Sequence, residues 1–162
     1  VRGLTVSVDR AADRSLRLRY SLDADPEQLR LPTPMPSAGR ADELWRHTCF
    51  EVFVAQDRSP AYHEFNFSPS GEWAAYAFTA YRAGMTPLPL HHAPQLCWQR
   101  AAGRLELVAT LPAEALSAGA AVLRLALSAV IEEQSGTITH WALKHPAGKP
   151  DFHHPESFAL EF

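Results

Sequence analysis

At 162 residues the chain has the length of one ordinary domain. A domain of about 150 residues buries roughly 68–70% of its unfolded surface, so no metal or disulfide is needed to hold its core. The 46% hydrophobic and 20% charged residues are an ordinary globular balance, and a net charge of −3 with no Lys/Arg run argues against nucleic-acid or membrane partners.

The dominant period along the chain is two, the mark of half-buried strands. Leu4, Val6 and Val8 alternate with polar neighbours, and Leu16, Leu18, Tyr20 and Leu22 do the same after a hairpin loop at 9–14. A Pro-rich loop, Pro26 to Gly39, leads to a predicted strand from Trp45 to Ala55. On it Phe50, Val52 and Val54 point one way, while Trp45, His47, Cys49, Glu51 and Phe53 point the other. Strands are then predicted over Tyr62–Ser68 and Trp73–Arg82, joined by a Pro69-Ser70-Gly71 turn, with Gly84–Pro94 as a loop. Cys97–Arg100 pairs with Leu105–Leu111 across Ala101-Ala102-Gly103. Leu111–Leu116 is the one short helical candidate, with Pro112 near its start. Ala121–Glu132, Thr137–Lys144 and Ser157–Phe162 complete the strands. Short strands at regular spacing, without crossover helices, predict one antiparallel β-sandwich of jelly-roll type over residues 1–162.

No apolar run approaches the ~20 residues of a membrane helix. VRGLTVSVDR lacks the pattern of a signal peptide, and the expected location is the cytoplasm. Cys49 and Cys97 sit in no ligand spacing, and Cys49 reads as a buried free thiol. The eight histidines include the pairs His91-His92 and His153-His154, but no HExxH or HxH, and they read as solvated loop residues. SPSG around Ser68 and Ser70 is not a nucleophile elbow. No motif calls for a cofactor, a metal or a catalytic residue.

Glu51 shares its predicted face with Trp45, His47 and Phe53, and Glu64 shares one with Tyr62 and Asn66. Aromatic rings beside hydrogen-bonding groups suit a sugar, whose C–H faces stack on indole and whose hydroxyls need polar partners. Trp45 and Trp141 stand out among the four tryptophans because polar residues crowd both segments.

The succession ELWRHTCFEVFV, YHEFNFSPSGEWAAYAF, AVIEE and HWALKHPAGKPDFHHPESF, from roughly Trp45 to Phe158, resembles bacterial DOMON-like proteins. These are related to the family 9 carbohydrate-binding modules. The resemblance implies a β-sandwich that binds sugar or, in other branches, haem. Family 9 modules grip a terminal sugar between two tryptophans, with charged and amide side chains on its hydroxyls. Trp45 and Glu51 match the first tryptophan and its following acid, Trp141 the second tryptophan, and Arg82 the arginine. The leading expectation is therefore a non-catalytic domain whose partner is a carbohydrate or other small molecule, bound by Trp45, Glu51, Arg82 and Trp141. The alternatives are a b-type haem domain drawing on Met35 or Met85 with a histidine, and a glycoside hydrolase using Glu51, Glu64 or Glu132.

Overall fold

A computed structural model describes residues 1–56, 58–116 and 122–162. Among these residues eleven strands are formed in chain order: β1 (Gly3–Arg10), β2 (Leu16–Asp23), β3 (Cys49–Gln56), β4 (Tyr62–Phe67), β5 (Trp73–Phe78), β6 (Thr86–Pro87), β7 (Gln95–Ala101), β8 (Arg104–Leu111), β9 (Leu123–Glu132), β10 (Ile138–Ala142) and β11 (Leu160–Glu161). They make two antiparallel sheets, one ordered β1-β2-β8-β7 and a larger one ordered β10-β9-β3-β4-β5-β6, with β11 also on β9. The architecture is a β-sandwich, as the period of two implies.

The alternation read from β2 places Leu16, Leu18, Tyr20 and Leu22 on the inner face of the small sheet, all fully buried. With Leu105, Leu107, Ala109 and Leu111 of β8, they pack on Phe50, Val52, Val54, Phe65, Phe67 and the odd-numbered residues of β9 from Leu125 to Ile131. Fully burying one such aliphatic or aromatic side chain is worth about 1.5–3 kcal/mol. β3 and β9 are buried on both faces. A second apolar cluster, including Phe53, Tyr62, Tyr76, Phe78, Phe152 and Phe158, covers part of the outer face of the large sheet.

Several element boundaries differ from expectation, each for a local reason. β3 begins at Cys49, because Glu43 adopts a left-handed φ of 60° and Leu44–Arg46 winds into a single 3-10 turn. Trp45 is therefore on that turn and not on the strand. β5 ends at Phe78, and Arg82 lies beyond it in a tight turn. The loop expected at 84–94 contributes β6, a two-residue edge strand on β5. The helical candidate after Leu111 is one 3-10 turn, Ala113–Ala115, capped by Pro112. Ser157 belongs to another such turn, Pro155–Ser157, so only Leu160–Glu161 of the last expected strand pairs. Ala121, expected to open β9, lies outside the described residues.

Both cysteines are free thiols, Cys49 buried and Cys97 exposed on β7. Burial, followed by the nearby Glu51, holds the Cys49 thiol well above the ordinary range. A thiol-reactive chromophore should therefore titrate one group rapidly in the native protein and two in denaturant. Two rapid native groups would contradict the buried position of Cys49.

Candidate functional site

Strand register decides which side chains meet on the outer face of the large sheet. Glu51 pairs with Asn66 on β4 and with Ser128 on β9, Glu64 pairs with Phe53 and Tyr76, and Val130 pairs with Cys49 and His140. Directly paired residues share a face. Glu51, Glu64, Asn66, Tyr76, Ser128 and His140 therefore all project outward, away from the sandwich core.

Above this face opens a cleft of about 840 Å³, within the ordinary range for a small-molecule site. Glu51, Glu64 and Val130 lie at its floor, Tyr76, Phe78, Phe152 and Trp45 bring aromatic surface, and Asp42, Glu43, Arg82, Asp151 and His153 bring polar groups. Trp45 is 49% exposed, whereas Glu51 is 3% and Glu64 6% exposed.

The walls are held by specific local structure. Arg40 donates to the carbonyls of Leu88 and Ala75, and its guanidinium lies over the rings of Trp73 and Tyr76 at 5.6 and 5.8 Å. Backbone bonds from Trp73 N to Gly39 O and from Ala41 N to Trp73 O fasten the same segment to β5. Asp42 is thereby placed to accept from the Tyr76 hydroxyl at 2.6 Å, and Glu43 and Trp45 follow along the rim.

Opposite, the turn after β5 closes through Thr79 N to Ala83 O and Ala83 N to Ala80 O. It puts Arg82 at φ 51°, a left-handed conformation that is uncommon outside glycine. Gly84 follows at φ 64°, where a Cβ would collide with the Thr79 side chain. Only a glycine fits there without rearrangement. This strained corner aims the Arg82 guanidinium at Asp151 Oδ1, 2.8 Å away, and its backbone N–H at the Tyr62 hydroxyl, 3.2 Å away. Asp151 also accepts from the Tyr81 hydroxyl and the His153 backbone N–H. Burial alone would raise the Asp151 carboxyl, but the Tyr81 and Arg82 hydrogen bonds prevail and hold it below its ordinary range.

The protonation of the floor follows from burial and hydrogen bonding. Burial, and then the neighbouring Glu64, pushes the Glu51 carboxyl up to about 8, opposed by the Ser128 hydroxyl, which donates to it at 3.4 Å. Glu64 is also raised by burial, but Asn66 Nδ2, donating at 2.7 Å, and the charge of Arg82 oppose that rise. His153 is pushed down to about 4 by burial and by Arg82, against the attraction of Asp151. The Tyr62 hydroxyl accepts from Arg82 N and is hydrogen-bonded to His153 Nδ1, 2.8 Å away. The other ring nitrogen, Nε2, lies 3.8 Å from Glu64.

Trp45, Glu51 and Arg82, expected together from the sequence, line this one cleft. Trp141 does not. It pairs with Ala129, whose side chain faces the sandwich core, so the indole packs inward and its N–H donates to Thr139 Oγ1 at 3.0 Å. It borders instead a small apolar groove of about 100 Å³ with Leu4, Val6 and Leu143. Glu132 is engaged by Arg30 and His47 and does not line the cleft. Met85 stands at the cleft mouth, while Met35 lies by the Ser70 turn. His153, read as a solvated loop residue, is in fact largely enclosed by Phe53, Tyr62 and Phe78. Tyr76 is among the aromatic residues that the sequence offers for a sugar site, but Asp42, His140 and Asp151 were missed. For His140 alone a signal existed, since neighbours on a strand face opposite ways and Trp141 and His140 must divide between core and cleft.

No known family profile matches the chain, and no curated protein matches it in sequence. Its fold is similar to the crystal structure of a "putative carbohydrate-binding protein" from Bacteroides uniformis. The TM-score is 0.71, and the match covers 94% of this chain and 74% of the other. At 17% sequence identity the likeness is one of fold. Of what the resemblance to DOMON-like proteins implies, the sandwich is the part that this likeness supports.

In chemical terms the cleft combines an accessible indole, a floor of desolvated hydrogen-bonding groups and a guanidinium fixed by a carboxylate. Two carboxyls sit side by side under the opening, as diagonal neighbours on one sheet face.

Proposed function

We propose that this domain binds a carbohydrate in the cleft and does not transform it. The observation that carries the reading is the half-exposed Trp45 indole over a cleft floored by Glu51 and Glu64 and flanked by Arg82. The indole offers a stacking face for a sugar ring, and the buried acceptors reward hydroxyl donors more than water-exposed ones could. The name given to the Bacteroides uniformis neighbour points the same way.

Isothermal titration against neutral and amino sugars and their oligomers tests the reading. Trp45→Ala should stay folded, because most changes at exposed positions cost within about 0.5 kcal/mol, and should lose most of its affinity. Trp141→Ala should do the reverse, losing about 1–2 kcal/mol of stability while keeping its ligand. Silence across the sugar panel would overturn carbohydrate binding. Turnover of a glycoside that disappears in Glu51→Gln would overturn the non-catalytic assignment.

A further inference from the structure

The charges around the cleft are unbalanced. Among its described lining residues, five carboxyl side chains, those of Asp42, Glu43, Glu51, Glu64 and Asp151, face the single guanidinium of Arg82, which is already bound to Asp151. Glu43 is paired outside the cleft with Arg46. The two floor carboxyls are the most buried of the five, and neither has a cationic partner at salt-bridge distance apart from the His153 ring near Glu64. That ring is neutral.

A second observation stands apart from the carboxyl cluster. Asn66 is fully buried, lies on the cleft face of β4 and is paired directly with Glu51. Its Nδ2 donates to Glu64, but Oδ1 is, among the described residues, a buried acceptor with no donor. Leaving such an atom unpaired costs about 1–3 kcal/mol, so Asn66 Oδ1 calls for a donor.

Building on the carbohydrate reading, we infer that the ligand is an amino sugar, its protonated primary amine seated on the Glu51–Glu64 floor beside Asn66 and its ring against Trp45. An ammonium carries three N–H donors and the positive charge that no described side chain other than the neutral His153 ring brings within salt-bridge distance of Glu51 or Glu64. N-acetylation removes the charge and two of the donors. A uronic acid meets Asp42, Glu43 and Asp151 and finds Arg82 already occupied. At neutral pH, Glu51 enters the complex by giving up its proton to solvent, so the carboxylic acid and the ammonium become a carboxylate–ammonium pair plus one released proton. The charged and titratable groups facing this exchange are Glu64 on β4, Arg82 and His153 on the loops above, Asp42 and Glu43 on the wall, His140 on β10 and Cys49 on β3.

The test is titration calorimetry near neutral pH with glucosamine, N-acetylglucosamine, glucose and glucuronate, as monomers and, for the first three, short β-linked oligomers, with cyclohexylamine as an amine lacking hydroxyls. Glucosamine should bind at least about tenfold more tightly than its acetylated or neutral counterparts, the change expected for one charge-assisted hydrogen bond. Its heat should vary with buffer ionisation enthalpy in the direction of proton release. Glu64→Gln should erase the preference, and Glu51→Gln should erase the proton release. Equal binding of glucosamine and glucose without proton release would overturn the amine assignment and leave carbohydrate binding standing; in that case the acid form of Glu51 itself serves Asn66 Oδ1. Binding of cyclohexylamine as tight as that of glucosamine would overturn the sugar reading. Absence of binding by every compound would overturn both.

Discussion

Phe50→Ala is expected to lower stability by about 3–5 kcal/mol, a large share of the roughly 5–15 kcal/mol that holds an ordinary domain together. Phe50 is fully buried at the centre of the sandwich, on the inner face of β3, with its ring centroid 5.3 Å from that of Tyr20 on the opposite sheet. Truncation leaves a cavity between two sheets whose backbones are tied by hydrogen-bonded neighbours on both sides of β3, so little collapse can refill it. The same cavity loosens Tyr20, whose hydroxyl crosses the interface to the Glu51 carbonyl at 2.8 Å. Chemical denaturation of Phe50→Ala beside Trp45→Ala checks this. The first should lose much of its denaturation midpoint and the second almost none. Comparable losses would mean that Trp45 is part of the core and not of the cleft.

Glu51→Gln is expected to stabilise the protein, and the gain should grow with pH. In the folded chain the Glu51 carboxyl is raised from 4.5 to about 8, so between those values the native state holds a proton that the unfolded state has released. Stability from this group is therefore full below the unfolded value, falls as pH rises through the window and levels off above the folded value. The total is on the order of 5 kcal/mol, following about 1.4 kcal/mol for each unit of displacement. Glu64, raised as well, acts in the same sense. His153 acts in the opposite sense at lower pH. Its value is lowered from 6.5 to about 4, so the unfolded state binds the extra proton and stability rises with pH across that range. Between about 6.5 and 8 the histidine contribution is flat and the Glu51 decline stands unopposed. Thermal melts of wild type and Glu51→Gln across pH 5 to 8.5 should thus diverge most at the alkaline end. Parallel curves would mean that Glu51 is ionised throughout. A glutamine that stabilises the fold while weakening the ligand would mark Glu51 as a group retained for binding at a cost in stability.

The sandwich was legible in the sequence because strand burial is written in a local period. Leu16, Leu18, Tyr20 and Leu22 announce their inner face within a few residues, and Phe50, Val52 and Val54 do the same. The outward set of Cys49, Glu51 and Phe53 follows from that alternation. Trp45 was assigned to the correct neighbourhood by an argument that does not apply, since it sits on a 3-10 turn and reaches the cleft through the backbone reversal at Glu43.

Alternation within one strand says nothing about which face of the next strand it meets. That depends on register, and a shift of one residue exchanges the two faces. Only the pairing of β10 with β9 sends His140 to the cleft and Trp141 to the core. Nor could local pattern gather Asp42, Arg82, Asp151 and His153, which come from three segments separated by dozens of residues and lie outside the long strands. Their convergence is produced by long-range hydrogen bonds, Tyr76 to Asp42, Arg82 to Asp151 and Tyr62 to His153. The chain alone determined that two sheets would form and which side chains would fill the space between them. The tertiary structure decided what stands on the outer face and how it is charged, because burial, register and loop closure are properties of contacts that no single stretch of sequence contains.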